Sequence, residues 1–591
     1  MSFSSWPGYR PGHEWRVERH HEKTRFCRRL GVLEQRFDIA SSKNGQSDTF
    51  VRLRIKLDGP HKARASNTAS FLTRILLAWT RLRAKHPLLA ATIHDEPTSS
   101  ISGVPARKFQ YDSPTTVEAL SRARESLLVA RTQNIQALMD EIQNKYILNG
   151  KRVLLSDSDC LARLVFVEHD SSDGTLGFFL VLSHVISDGV SVFKLVNELF
   201  ATASDHNLPS PEQQPTFLSF DNFIASRLDL APFELREDLH RAWRTTRPDS
   251  DILSSLPLAT EDHLPLLPLS EAQEDVSQDA IEAPSDLHAT TKAKPLPTSP
   301  ARLRWIWAIT RTLILARQRR FPRSLHIPRI ISDTPPTRPS TRWEFVRFDK
   351  LTSRSILDLC KQHRQSPSML LYSMLALATT NLLTSLYPFE PYHPVLVGFP
   401  FSARRFLEYN PKTLSDPAAD LAIRITFGSI HLPNLPLALD DADATTVCDA
   451  VMRNARLAKR QFDKRLAPDK LSRTIFLALA DALNTDRLLT RYGRKAPPWE
   501  DPKTCINASM IGDVDRILAT SFNCPDFRVH LSDLELGTRL HLGEGNFNEG
   551  FTFDGQLQLC MGIDEHVIDP AYISTILEQV KLIGLKIASL Q

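Results

Sequence analysis

The chain has 591 residues, more than one hydrophobic core contains, and we expect two or three compact units. Its hydrophobic content of 42% and charged content of 24% are typical of a soluble globular protein, and its net charge of +4 does not indicate a nucleic-acid partner. The seven cysteines are scattered, without the spacing of a disulfide framework or a zinc site. With no signal peptide and no run that approaches about eighteen consecutive apolar residues, we expect a cytoplasmic protein in a reducing compartment.

The N-terminal part is predicted to contain a polar tail and a first compact unit. Residues 1–26 are polar and predict a solvated tail, since the cluster His20-His-Glu-Lys23 lacks the spaced partners of a metal site. Residues 27–204 form the predicted first unit. Within it, 49–57 alternates strictly between apolar and other residues, which predicts a half-buried strand, and 115–145 is predicted to be helical.

The most informative stretch is the passage that ends at Gly189. Two apolar runs, 162–167 and 176–182, predict a strand pair, and the motif His184-Val-Ile-Ser-Asp-Gly189 then leads into a segment of helical periodicity. An imidazole with a pKa near about 6.5, held rigidly at a strand end, can accept a proton from a bound hydroxyl. Asp188 is predicted to point back into the protein and fix the loop through a cation, while Gly189 permits the turn. A histidine that merely ends a strand is the alternative.

Residues 205–340 change in composition and predict a crossover with an insertion. Pro, Ser, Asp, Glu and Ala dominate 249–300, which is predicted to be a disordered or loosely held insertion. Segment 301–323 combines Trp305 and Trp307 with seven arginines and predicts a helix too short and too charged to span a bilayer. Either this helix packs on the globular body with its arginine stems along apolar surface, or it lies on an anionic membrane surface.

Residues 341–591 predict a second unit of similar content. Residues 343–349 alternate as a strand, and Ser366-Pro367 marks the start of a long apolar helix. A short apolar run at 394–400 leads to Arg404 and Arg405. Late strands within 505–515 and 551–563, followed by a helix over 571–588, complete the unit. The predicted fold class is therefore α/β (α+β) with two subdomains.

Four passages, in this order, carry a resemblance to a known family: Arg29-Leu-Gly-Val-Leu-Glu34, His86-Pro-Leu-Leu89, His184-Val-Ile-Ser-Asp-Gly189 and Gly398-Phe-Pro-Phe-Ser-Ala-Arg404. With them the chain resembles the coenzyme-A-dependent acyltransferase superfamily, which groups plant BAHD acyltransferases, fungal alcohol O-acetyltransferases, wax ester synthases and nonribosomal-peptide condensation domains. The first passage is most similar to the fungal alcohol acetyltransferases. Only the histidine motif is specific by itself, and the others gain weight from their order.

The resemblance implies two chloramphenicol-acetyltransferase-like subdomains with an active-site tunnel between them. In this tunnel acyl-CoA, as co-substrate, would meet a hydroxyl-bearing alcohol, glycolipid or secondary metabolite at His184, the catalytic base. Arg404 would hold Asp188, with Arg405 as the alternative partner, and Ser509 is a candidate oxyanion donor or an ordinary strand residue. Neither a bound cofactor nor a metal is expected, and we expect a monomer, with possible contact between 301–323 and a membrane.

Departures from the family patterns keep alternatives open. Condensation domains carry two consecutive histidines where this chain has Ser183 before His184, and no carrier domain accompanies the motif. The plant signature Asp-Phe-Gly-Trp-Gly is absent, and no Gly-x-Ser-x-Gly elbow indicates a hydrolase. A carrier-dependent or N-acylating condensation enzyme is one alternative, and a catalytically silent, membrane-associated binding protein is another. Asp513 and Asp515 resemble metal ligands, but acyl transfer of this kind needs no metal.

Overall fold

The computed structural model is mixed α/β, with three sheets flanked by helices in the part of the chain that it describes. The described residues are 14–20, 23–42, 45–59, 64–96, 107–170, 174–208, 217–229, 249–263, 326–330, 338–388, 394–407, 416–417, 419–433, 435–465, 505–541 and 545–591. The Trp/Arg-rich helix predicted at 301–323 lies outside these residues, as does 264–300.

Strands and helices occur along the whole described chain. The strands are β1 (Arg16–His20), β2 (Lys23–Arg29), β3 (Thr49–Asp58), β4 (Thr92–Asp95), β5 (Arg107–Asp112), β6 (Leu127–Thr132), β7 (Ala162–His169), β8 (Thr175–Leu182), β9 (Leu218–Ser219), β10 (Thr341–Arg347), β11 (Val395–Ser402), β12 (Ile425–Leu432), β13 (Ile506–Asp513), β14 (Ser521–Asn523), β15 (Arg528–Thr538), β16 (Asn546–Phe553) and β17 (Gln556–Asp564). The α-helices are α1 (Val32–Ser41), α2 (Arg64–Lys85), α3 (Thr116–Glu125), α4 (Ile135–Glu141), α5 (Gly189–Ala203), α6 (Phe220–Asp229), α7 (Asp249–Ser255), α8 (Lys350–Gln362), α9 (Pro367–Leu386), α10 (Ala444–Arg465) and α11 (Pro570–Ala588).

Two large sheets define two lobes. The N-terminal lobe has a seven-stranded sheet in the order β14-β15-β3-β8-β7-β6-β9, and the C-terminal lobe has a six-stranded sheet in the order β10-β17-β16-β13-β11-β12. A four-stranded sheet, β1-β2-β5-β4, packs on the N-terminal lobe through buried side chains such as Phe26 and Phe109. The predicted strand at 49–57 is β3, an inner strand of the larger sheet.

The sheets do not follow the boundary predicted at residue 341. Strands β14 and β15 lie late in the chain, yet β15 pairs antiparallel with β3 over nearly its whole length, from Arg528↔Asp58 to Thr538↔Thr49. Beyond the strand ends, the Ser47 N–H donates to the Arg539 carbonyl at 2.7 Å and the Arg539 N–H donates to the Asp48 carbonyl at 2.9 Å. The C-terminal half of the chain therefore completes the N-terminal sheet.

The predicted apolar helix is the centre of the C-terminal lobe. Ser366 caps α9 by accepting a hydrogen bond from the Met369 N–H, as predicted, and Pro367 occupies the first turn. Among the described helices, α9 alone is long and apolar enough to cross a membrane, but 78% of its most apolar window is buried inside the protein. It packs against α10 and α11 and has the burial of a core helix.

The helix predicted across 115–145 is interrupted by a strand. Residues 127–132 form β6, which pairs parallel with β7 in the register Leu127↔Leu164. Leu127 and Leu128 are fully buried in the sheet. A short apolar run such as this one fits a buried strand and a buried helix equally well, and sheet pairing decides between them.

Two segments predicted to lack structure are ordered. In the predicted tail, β1 pairs antiparallel with β2 in the register Arg16↔Cys27. In the predicted disordered insertion, residues 249–263 form α7 and a following 3-10 turn. Ile252 and Leu256 are buried there, and the Thr260 hydroxyl donates to the Ile423 carbonyl at 2.7 Å. The prediction of disorder is therefore wrong for 249–263, where buried apolar residues offset the entropy cost of order. The prediction of an unstructured tail is wrong for 16–20, because residues 16–19 are exposed but the segment is ordered by its backbone pairing with β2.

A substitution at Gly584 tests how closely α11 packs against the rest of the C-terminal lobe. Alanine is favoured over glycine in a helix by about 1 kcal/mol, but a Cβ here would lie 2.4 Å from the Phe348 ring. We expect Gly584→Ala to lower the melting temperature measured by circular dichroism, because the clash outweighs the helix propensity. Lys581→Ala, on the exposed face of the same helix, is the control and should leave it unchanged. A higher melting temperature for Gly584→Ala would show that Phe348 moves aside freely.

Candidate functional site

The histidine motif connects an inner strand of the N-terminal sheet to a helix. Strand β8 ends at Leu182 and α5 begins at Gly189, so His184 lies in the intervening turn, as the sequence predicts. The turn is fixed at its start because the Ser183 N–H donates to the Leu161 carbonyl at 2.9 Å. The backbone around His184 is therefore held by the neighbouring strand β7 and by α5.

A cavity of about 710 Å³ lies against this turn and is lined by residues of both lobes. The N-terminal lobe contributes the turn and the start of α5, and the C-terminal lobe contributes residues of β11 and β13. All five site residues predicted from the sequence line it: His184, Asp188, Gly189, Arg404 and Ser509. The structure thus brings together side chains that lie as far apart in the chain as 184 and 509.

The imidazole of His184 is oriented by a stacked aromatic ring. Phe37, from α1, lies 4.2 Å from it between ring centroids with an interplanar angle of 24°. The Nδ1 atom of His184 is shielded from solvent and has no hydrogen-bond partner of normal geometry among the described residues. Burial lowers the pKa of His184, and the nearby backbone groups and the Asp188 carboxylate only partly offset this effect. The ring is therefore neutral at physiological pH and able to accept a proton.

Asp188 is buried, and its carboxylate both caps α5 and binds the C-terminal lobe. Its Oδ1 accepts a hydrogen bond from the Ser191 N–H at 2.9 Å and caps α5, while the Asp188 N–H donates to the Ser191 hydroxyl at 2.8 Å. Its Oδ2 accepts hydrogen bonds from Arg404 Nη2 at 2.8 Å and from the Arg424 N–H at 2.9 Å. Burial disfavours its ionised form, but Arg404 and the two backbone donors outweigh burial and lower the pKa of Asp188. The carboxylate points into the protein and away from a role in chemistry.

Arg404, and not Arg405, is the partner of Asp188. Arg404 is 6% exposed, and it also donates to the Ala422 carbonyl at 2.6 Å and to the Asp420 carbonyl at 2.8 Å, whereas Arg405 is exposed. These contacts join the motif of the N-terminal lobe to the connection between β11 and β12 of the C-terminal lobe. The family pattern favours this pairing, and the structure provides it.

Two charged residues that the sequence analysis missed extend this network. Asp420 Oδ2 accepts a hydrogen bond from Arg424 Nη2 at 2.5 Å, and its Oδ1 accepts one from Arg404 Nη1 at 3.2 Å. Arg424 is fully buried. The sequence signal that could have found them is a pair of opposite charges four residues apart, which encloses the apolar Leu421-Ala-Ile423.

Ser509 lies on β13 opposite a buried acid on β16. In this parallel pair Ser509 is in register with Glu549, so both side chains lie on one face of the sheet, and both line the cavity. Burial raises the pKa of Glu549 to about 8. Its Oε2 has no hydrogen-bond partner among the described residues. Glu549 is not predicted from the sequence as a site residue, although a glutamate inside a strand with three phenylalanines is unusual.

A second serine and histidine line the same cavity. The Ser47 hydroxyl and His541 Nε2 are hydrogen-bonded, and Ser47 has a φ of 70°, which is rare for a residue with a side chain. His184 and His541 both line the cavity, and positive charge on His541 would lower the pKa of His184. Nothing in the local sequence marks this pair, because the two residues are 494 positions apart.

The two aspartates that resemble metal ligands accept hydrogen bonds from nearby backbone and side-chain donors. Asp515 accepts hydrogen bonds from the Asp554 and Gly555 N–H groups at 2.6 and 3.0 Å, and Asp513 accepts one from Arg516 at 2.9 Å. Within the described ranges, no group of three or more His, Cys, Asp or Glu residues could hold a metal ion.

Comparisons with known proteins find the same fold but no close relative. No protein-family model matches the chain, and the search of curated proteins finds no match. Among solved structures, TRI3 trichothecene 15-O-acetyltransferase from Fusarium sporotrichioides is similar with a TM-score of 0.68 and 13% identity, over 99% of this chain and 100% of that one. The condensation domain of the Monacolin K polyketide synthase MokA matches with a TM-score of 0.50 and 10% identity, over 96% and 97%.

A third solved structure contains a bound ligand. It is a variant of the starter condensation domain of rhizomide synthetase RzmA in complex with C8-CoA, with a TM-score of 0.50 and 9% identity, over 95% of this chain and 94% of that one. At these identities the likeness shows the fold: two chloramphenicol-acetyltransferase-like lobes, as in CoA-dependent acyltransferases and condensation domains. The predicted fold class is confirmed.

The buried pair of Asp188 and Arg404 predicts a large effect on stability. We expect Arg404→Met to lower the free energy of unfolding by about 3–5 kcal/mol in urea denaturation, because it leaves the Asp188 carboxylate buried and unpaired. Arg405→Met, at the exposed neighbouring position, is the matched control and should change it by less than about 0.5 kcal/mol. Equal losses in the two variants would contradict the assignment.

The same pair predicts a pH dependence. Because the pKa of Asp188 is lowered in the folded protein, its contribution to stability is present above the usual aspartate pKa and is lost as the pH falls through the lowered value. In Arg404→Met the buried carboxyl is expected to titrate higher, so protonation relieves the unpaired charge. The stability difference between wild type and Arg404→Met should therefore shrink in acid, and a difference that grows in acid would contradict this origin.

Proposed function

We propose that the protein is an acyl-CoA-dependent O-acyltransferase that transfers an acetyl or longer acyl group to a hydroxyl, with His184 as its general base. The observation that carries the proposal is a neutral imidazole, held by Phe37 and the Asp188–Arg404 pair, at the wall of a cavity between two lobes. Support comes from the fold, which matches an O-acetyltransferase along 99% of this chain.

The proposed step is a direct transfer in a ternary complex. Since Nδ1 of His184 is shielded, Nε2 is the nitrogen that accepts the hydroxyl proton as the acceptor oxygen attacks the thioester carbonyl. The tetrahedral intermediate collapses, the carbon–sulfur bond breaks, and the CoA sulfur takes the proton back from the imidazolium. General-base assistance of this kind contributes about 10²- to 10⁴-fold in rate. Positioning of both substrates contributes the rest.

The oxyanion of that intermediate needs a hydrogen-bond donor in the cavity wall. Ser509 is our candidate, because its strand β13 forms part of the wall. A donor of this kind stabilises charge that develops only in the transition state, so its loss would lower kcat more than it raises KM. Asp188 and Gly189 are proposed to hold the motif without contacting substrate.

Basic side chains along the cavity suit an anionic co-substrate. Arg36, Lys194 and Arg405 line it, and the phosphate groups of acyl-CoA carry negative charge. The C8-CoA complex of the RzmA domain shows that this fold accommodates an acyl-CoA of medium chain length in that protein. We therefore propose free acyl-CoA as the donor and an alcohol, glycolipid or other hydroxyl-bearing metabolite as the acceptor.

A condensation enzyme that uses a carrier-bound donor is the second candidate, since condensation domains share the fold. The two are separated by incubating the purified protein with free acetyl-CoA or C8-CoA and a panel of alcohols and amines. Ester formation from free acyl-CoA supports the proposal, whereas amide formation or a strict need for a carrier protein supports the alternative.

Replacing the proposed base should abolish transfer without unfolding the protein. We expect His184→Ala to lower kcat for ester formation by at least about 100-fold, measured by release of free CoA thiol. His530→Ala, which removes a partly exposed histidine on β15 beside Asp58, is the control and should keep wild-type activity. Near wild-type transfer by His184→Ala would refute His184 as the base.

The proposal also predicts where activity falls in acid. Burial lowers the pKa of His184 from its usual 6.5, so the neutral, proton-accepting form persists at lower pH. The acidic limb of kcat/KM against pH should therefore lie below 6.5. A limb above that value would mean that the imidazole is stabilised in its charged form, contrary to its surroundings.

A further inference from the structure

A second cavity, of about 510 Å³, lies within the N-terminal lobe. It shares no lining residue with the cavity of His184. Residues of α2, α3, β4, β5 and β7 form its wall, and three arginines converge there: Arg83, Arg122 and Arg163.

Arg83 is buried and forms few hydrogen bonds with the described residues. It is 7% exposed, and its single hydrogen bond among the described residues runs from Nη1 to the Ser126 hydroxyl at 3.3 Å. That hydroxyl also accepts the Trp79 indole N–H at 2.9 Å. A guanidinium offers five N–H donors, so most of those on Arg83 have no acceptor among the described residues.

Among the described residues, neither of the other two arginines forms an ion pair with a carboxylate. Arg163 is 2% exposed, donates to the Leu154 and Glu125 carbonyls at 2.7 and 2.6 Å, and lies 4.2 Å from the centroid of the Phe223 ring. The half-buried Arg122 forms no ion pair in the part of the chain that the structure describes. Several buried arginines elsewhere meet carboxylates, as in the pairs Arg28–Glu34, Arg404–Asp188 and Arg424–Asp420, whereas Arg74 donates to backbone carbonyls.

Three like charges around one cavity are unfavourable unless something neutralises them. Burial lowers the pKa of Arg83, and the positive charges of Arg163 and Arg122 lower it further. Three carboxylates also line the cavity: Asp112 is bonded to Arg25 at 2.7 Å and interacts only electrostatically with Arg122, and Glu125 and Asp159 are exposed. The buried part of the cavity is therefore cationic, which favours an anionic occupant.

We propose that this cavity binds the phosphate group of a small molecule. Guanidinium groups form paired hydrogen bonds with phosphate oxygens, and several oxygens allow one anion to contact all three arginines. The hydroxyls of Thr92 and Ser158 line the same cavity and can donate to it. The volume exceeds that of inorganic phosphate and lies in the range of small-molecule sites, so an organic phosphate monoester fits this cavity.

The experiment is thermal unfolding of the full chain with increasing inorganic phosphate, glycerol phosphate or adenosine monophosphate, each compared with sodium chloride at equal ionic strength. We expect a saturable rise in melting temperature for the wild type. Arg83→Gln and Arg122→Gln should each weaken binding at least about tenfold. Arg122 is half-buried, so its variant keeps the test valid if Arg83→Gln fails to fold. Arg131→Gln, an exposed residue paired with Glu168 at 3.1 Å, is the matched control and should bind normally.

Each outcome decides the proposal. The proposal is supported if the wild type and the control show saturable stabilisation and both cavity variants lose it. A larger effect of the monoesters than of inorganic phosphate identifies an organic phosphate as the ligand. Equal stabilisation of all four proteins would show general salt exclusion from the surface and would overturn it. No stabilisation of the wild type by any of the three anions would also overturn it.

Discussion

The hydrogen bonds of one buried carboxylate, that of Asp188, connect everything that the site depends on. One oxygen caps α5, and the other accepts Arg404 and the Arg424 backbone from the opposite lobe. His184 lies on the turn between β8 and this cap, so the contact between the lobes also fixes the position of the imidazole. Buried ion pairs seldom add much net stability compared with apolar packing, but they fix geometry, since misalignment leaves a charge unpaired.

Much of this site followed from local sequence. The apolar run of β8, the abrupt stop at His184 and the helical period after Gly189 placed the histidine on a strand–turn–helix junction, and the family pattern placed Arg404 beside Asp188. Local pattern is sufficient there because the motif is contiguous. It was insufficient for Glu549, which meets the cavity only because β16 pairs with β13 and carries it opposite Ser509.

Two of the errors in the fold have a common physical cause. The strand β6 and the ordered residues 249–263 are short apolar segments whose state depends on a distant surface, β7 for the first and the β11–β12 connection for the second. Composition measures average hydrophobicity and misses a partner supplied from elsewhere in the chain. The hydrogen bond between Ser47 and His541, 494 positions apart, is likewise a product of tertiary structure alone.

The pairing of β15 with β3 has a consequence for the way the chain acquires its structure. Until residues 528–538 leave the ribosome, β3 is an open edge of a largely apolar sheet, next to the strand that carries the histidine motif. Open edges pair readily with other chains, and contacts of such long sequence separation form slowly. The two lobes are therefore not independent folding units. A nascent chain that ends before β15 would expose the backbone edge of β3, which β15 covers in the full-length protein.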